Sequence, residues 1–166
     1  YNIIMPEVVI DGHECSRGMN ISGEGVIDFL DDIEISAACN LNTDSSINSE
    51  AQDMTDYAIE QCSRAGLRAY DYGASVNNTI SRVYYGMYGS CSVLVESTGI
   101  AIGKDHFERR VFSQHTAVKA LLDRVYERAD SIKDMVSSAR SSIIARGAKF
   151  DSSNRFVLKH GMSYKN

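Results

Sequence analysis

Two short β-branched apolar runs constrain this chain more than any other feature. Glu7-Val8-Val9-Ile10-Asp11 is opened by Pro6 and closed by Gly12, and reads as a buried strand ending at Gly12-His13. Cys91-Ser92-Val93-Leu94-Val95-Glu96 is the second such run, with Gly99 punctuating the loop behind it. Between and after them the apolar period becomes helical. Ala51, Met54, Ala58, Ile59 and Cys62 predict a helix from about Ser49 to Ala65, with Ser49 as its N-cap and Gly66 just past its end. From about Lys104 to Ala145 a second helical stretch keeps Phe107, Val111, Val118, Leu121, Leu122 and Val125 near one face, with a break near Ala129. Strands alternating with amphipathic helices favour a layered α/β architecture.

The segments between are less patterned. Residues 15–30 read as a loop and a short helix, 40–50 as a polar surface loop, and 67–72 as a strand. Residues 73–81 are polar and turn-like, Phe156-Val157-Leu158 is a candidate last strand, and no internal repeat is found.

Composition narrows the class. The 166 residues suit one domain, and 43% hydrophobic with 23% charged residues is an ordinary globular balance. A net charge of −5 argues against a nucleic-acid partner, which selects a basic face. No run approaches the roughly 20 apolar residues of a membrane span. None of the four cysteines (Cys15, Cys39, Cys62, Cys91) sits in a C-x-x-C pair, so they read as buried free thiols, with one disulfide left open. Asn20 and Asn77 match the glycosylation acceptor pattern, which recurs by chance. Nothing assigns a compartment or an oligomeric state.

Both clear strands end in residues that carry chemistry, and in layered α/β sheets ligands bind beyond the carboxyl ends of strands. A neutral imidazole at His13 suits a divalent cation, zinc above all, and Asp11 stands two residues back on the same side to orient it. A surface histidine is the commoner outcome for such a pair alone. Glu96 ends an apolar run, where partial burial favours a general base; a strand end reaching solvent is again the commoner case.

Taken together, these segments resemble the zinc metallocarboxypeptidases (M14 family). Pro6-Glu7-Val8-Val9-Ile10-Asp11-Gly12-His13 is similar to the family strand ending in Asp-x-His, whose histidine is the third zinc ligand. Gly89-Ser90-Cys91-Ser92-Val93-Leu94-Val95-Glu96 is similar to the strand ending in its general-base glutamate. Ser97-Thr98-Gly99 and Gly103-Lys104-Asp105-His106-Phe107-Glu108-Arg109-Arg110 resemble bacterial members, in which a glycine-containing loop leads into a long terminal helix. The resemblance implies a helix–sheet–helix fold with a mixed, mostly parallel sheet, one zinc ion, and a peptide substrate cleaved at its C-terminal bond. His13 would hold the metal and Glu96 would activate the water. Tyr72, with Tyr70 close behind, is the candidate tyrosine that caps substrate; an aromatic lining the core is the alternative. Arg82 is a candidate partner of a substrate carboxylate, with a solvated arginine equally open. Arg109 and Arg110 are expected to pair at the surface or with acids of their own helix.

The sequence departs from the family in one respect. The family's upstream His-x-x-Glu ligand pair and Asn-Arg clamp are absent, and no histidine of the chain starts a His-x-x-Glu or His-Glu-x-x-His motif. Residues 1–166 are therefore expected to be the C-terminal part of a single catalytic domain, binding zinc poorly by themselves. Two other functions stay open: a zinc deacylase of the aspartoacylase and succinylglutamate-hydrolysing kind, and a non-catalytic interaction domain that kept the fold.

Overall fold

The structure, a computed structural model, describes residues 2–5, 7–15, 19–21, 27–29, 31–37, 40–73, 75, 77–100, 102–149, 151–152 and 154–156. Its main sheet has five strands: β1 (Asn2–Ile4), β2 (Val8–Cys15), β5 (Ile33–Ala37), β6 (Ala69–Asp71) and β7 (Cys91–Thr98). They run in the order β1-β2-β7-β5-β6. The β2–β7 and β5–β6 pairings are parallel and the β1–β2 and β5–β7 pairings antiparallel. The sheet is mixed, as expected, with parallel and antiparallel pairings in equal number. A separate antiparallel ribbon joins β3 (Met19–Ile21) and β4 (Ile27–Phe29). Its two strands lie within the stretch read as a loop and a short helix; residues 16–18, 22–26 and 30 of that stretch lie outside the described residues.

Both anticipated strands form, and both run two residues further than expected. Glu14 pairs with Ser97, and Cys15 with Thr98, so His13 and Glu96 lie inside the ladder rather than at its last rung. β5 was not anticipated, although Ile33-Glu34-Ile35-Ser36 alternates with the period of a strand.

The helices are α1 (Ser45–Arg64), α2 (Ser81–Met87), α3 (Phe107–Glu127) and α4 (Ala129–Ala148). α1 starts inside the expected surface loop because Asp44, not Ser49, caps it: the Asp44 carboxylate accepts the backbone N–H of Ser46 at 2.9 Å. Its far end closes as the sequence implies, with Gly66 in the left-handed region at φ 78. The break between α3 and α4 falls at Arg128, one residue before Ala129. α2 occupies a stretch read as turn-like. Of the expected last strand, Phe156 has no regular structure and residues 157–158 lie outside the described residues.

Strand alternation divides the sheet chemically. Val8, Ile10, Ile33, Ile35, Cys91, Val93 and Val95 point to one face, where they form the core with Met54 and Ala58 of α1, Ala117 and Leu121 of α3 and Val136 of α4. α3 presents only part of its expected stripe to this core: Leu121 lies in it, and Val118 and Val125 pack against it. Ser113, Ala117, Ala120 and Leu121 are buried while Phe107, Val111 and Leu122 are exposed. α3 packs against α1, and small side chains let the two backbones approach. The opposite face carries buried polar Asp11, Ser36, Ser92, Glu34 and Thr98 together with Val9 and Leu94, with α2 against β7 and β2. No helix among the described residues is long and apolar enough to cross a membrane.

Candidate active site

The buried polar face is where the chemistry gathers. In register, His13 of β2 stands beside Glu96 of β7, Glu96 beside Glu34 of β5, and Glu34 beside Tyr70 of β6. Register partners share a face. Four side chains able to bind metal or move protons therefore form one row across four strands. His13 and Glu96, about eighty residues apart in sequence, are brought together by a single parallel pairing.

Each member of the row is held differently. The His13 imidazole is 51% exposed and its Nε2 lies 2.7 Å from Asp11 Oδ1. Asp11 is buried and also accepts a hydrogen bond from the Ser81 hydroxyl of α2. The main-chain carbonyl of His13 accepts a hydrogen bond from Gln114 of α3 at 2.9 Å. The Tyr70 hydroxyl donates to Glu34 Oε1 at 2.6 Å, and Glu34 is 1% exposed. Glu96 is partly exposed, so solvent and ligand can reach it. Cys15 Sγ and carboxylate oxygens of Glu34 and Glu96 lie within 4.8 Å of one another. His13 stands outside that cluster, its Nε2 engaged by Asp11.

Tyr72, directly after β6, and Arg82 of α2 lie against each other. The Arg82 guanidinium carbon is 5.2 Å from the centre of the Tyr72 ring, a cation–π stack. Arg82 is 1% exposed rather than solvated. Tyr70 lies in the row itself, so the two tyrosines do different things: one hydrogen-bonds an acid, the other covers a cation.

The chain is similar to fungal carboxypeptidases. Probable carboxypeptidase 2 of Trichophyton verrucosum and of Arthroderma benhamiae, and carboxypeptidase 2 of Trichophyton tonsurans, are each 26% identical to it over 146 residues, covering 79% of this chain. The chain spans 28%, 28% and 27% of the length of those three relatives. No known protein-family profile and no solved structure matches it.

Glu34 is the site residue that sequence reading missed. The signal was present in the alternation of acids and isoleucines through Asp32-Ile33-Glu34-Ile35, a strand with one polar face. Arg109 and Arg110 also behave otherwise than expected. Arg109 makes a two-pronged bond to buried Asp32 at 2.5 and 2.7 Å, tying α3 to the start of β5. Arg110 is itself buried and pairs with Glu14 of β2. Both reach across elements, to an acid on β2 and to one at the start of β5.

A cleft of about 1090 Å³ meets the row at His13. It runs along α3 on the helical side of the sheet, walled by Ile3, Val111, Val118 and Leu122. His13 and Glu14 also line it, whereas Glu34, Glu96, Tyr70 and Arg82 are not on its walls.

Proposed function

We propose that this chain carries part of the active centre of a zinc carboxypeptidase, with Glu96 as general base and His13 as one metal ligand. The observation that carries the reading is the pairing of His13 with Glu96 on the polar face. The similarity to fungal carboxypeptidases supports the same activity.

The chemistry of the donors fits a metal at His13. Asp11 engages Nε2, so a neutral imidazole keeps its lone pair on Nδ1, and the half-exposed ring leaves that nitrogen open. A catalytic zinc takes about three protein ligands, and His13 supplies one of them. When bound, the ion would polarise the water that attacks the peptide carbonyl. Glu96 takes the proton of that water and returns it to the leaving amine. Partial exposure suits it to the task, because a fully buried carboxylate has no access to water. Asp11, fixed by Ser81, holds the imidazole in one orientation. Tyr72 and Arg82 are the substrate contacts.

The test is turnover of C-terminally free peptides by the full-length protein, with N-acyl amino acids as the competing substrate class. Glu96→Gln is expected to lower kcat by about 10²–10⁴-fold with an unchanged melting temperature. His13→Ala is expected to lower the zinc content. Full activity in the Glu96→Gln protein would remove Glu96 as base, and turnover confined to N-acyl amino acids would favour a deacylase.

A further inference from the structure

Arg82 is the most unusual charged residue in the fold. It is 1% exposed, and its Nε and Nη1 have no hydrogen-bond partner. Three other buried charges meet an opposite charge: Arg110 pairs with Glu14, Asp32 with Arg109, and Glu50 with Arg128. Among the described residues Arg82 is the one buried guanidinium without a carboxylate. A guanidinium does not lose its proton at any ordinary pH, so this cation cannot escape burial by becoming neutral. The face of the Tyr72 ring, 5.2 Å away, offers partial compensation only.

Its position says what would complete it. Ser81, the preceding residue, bonds Asp11, which holds His13. Tyr72 follows two residues after Tyr70, which belongs to the row containing Glu96. The unpaired cation thus borders the proposed reaction centre, and lies deeper than the accessible His13 and Glu96.

We propose that Arg82 receives the side-chain carboxylate of the substrate's C-terminal residue, so that the site selects peptides ending in glutamate or aspartate. The inference rests on the carboxypeptidase reading and names its substrate class. A neutral or basic side chain would leave the buried cation unpaired, and discrimination by a buried polar group left without its partner is steep. The α-carboxylate common to all peptides is the other source of the same chemistry.

Binding, measured by calorimetry in the full-length Glu96→Gln protein so that nothing is cleaved, separates the possibilities. The probes are acetyl-Ala-Ala-Glu, acetyl-Ala-Ala-Leu and the C-terminal amide of the first. The Glu peptide is expected to bind at least about tenfold tighter than the Leu peptide, and its amide to keep that advantage over a Leu amide. Arg82→Met should abolish the difference without lowering the melting temperature, since it removes an unpaired buried charge; Arg82→Lys should retain part of it. Equal affinities for Glu and Leu peptides would overturn the proposal. Equal weakening of both by Arg82→Met would assign Arg82 to the α-carboxylate instead. A Met variant that melts far below its parent would make Arg82 a structural residue. Turnover by the wild type with no acidic preference would sink this inference alone, whereas preference without turnover would sink the peptidase reading alone.

Discussion

At the scale of single residues, Asp32 illustrates how this fold handles charge. Burial raises its pKa, but the Arg109 hydrogen bond, the Arg68 backbone N–H and the two nearby guanidinium charges outweigh that and hold it below the usual carboxylate value. The folded protein therefore releases this proton at lower pH than the unfolded chain. The unfolded state binds more protons between the two values, so stability rises with pH across that window. The contribution is complete above about pH 4–5 and is lost as pH falls through the native pKa. Asp32→Asn should be less stable than wild type at pH 7, with the gap closing below about pH 4 in urea unfolding. A gap independent of pH would mean that ionisation of Asp32 is not what matters.

Among elements, the junction of α3 and α4 is held by one buried acid. Glu50 on α1 is buried, and Arg128 at the helix break reaches it at 2.5 Å. Arg124, one turn earlier, bonds Asp53 at 2.7 Å. These contacts fix α3 against α1 where the side chains between them are small. Arg128→Ala would strand a desolvated carboxylate and should cost about 3 kcal/mol, read as a lower denaturation midpoint with an unchanged slope. Arg124→Ala, at a more exposed pair, should cost about 1 kcal/mol or less. Equal losses at the two sites would contradict the assignment of burial as the cause.

For the whole molecule, the division of the sheet into an apolar and a polar face decides which groups can react. Cys62 and Cys91 lie in the apolar core; burial, with a smaller push from Asp32 on Cys62 and Glu50 on Cys91, raises each thiol to about 12. Cys62 and Cys91 are free and buried, Cys15 is buried on the other face of the sheet, and Cys39 lies outside the described residues. Iodoacetamide at pH 8 should leave Cys62 and Cys91 unmodified in the native protein and label both after unfolding in urea, as read by peptide mass spectrometry. Rapid native labelling of either would show that the core opens under ordinary conditions.

Local pattern carried a good part of this protein. Runs of branched apolar residues specify β2 and β7, and apolar spacing with a terminal glycine specifies α1, because both signals act over one or two turns of chain. The sequence also marks His13 and Glu96 as strand-end residues of chemical interest. It could not place them side by side, since pairing between strands is non-local and leaves no periodic trace in either. The same limit hid β5 and α2, each too short for its pattern to outweigh the polar residues around it. Glu34 and the unpaired state of Arg82 arise only when four strands and a helix converge, because burial and pairing are properties of neighbours in space.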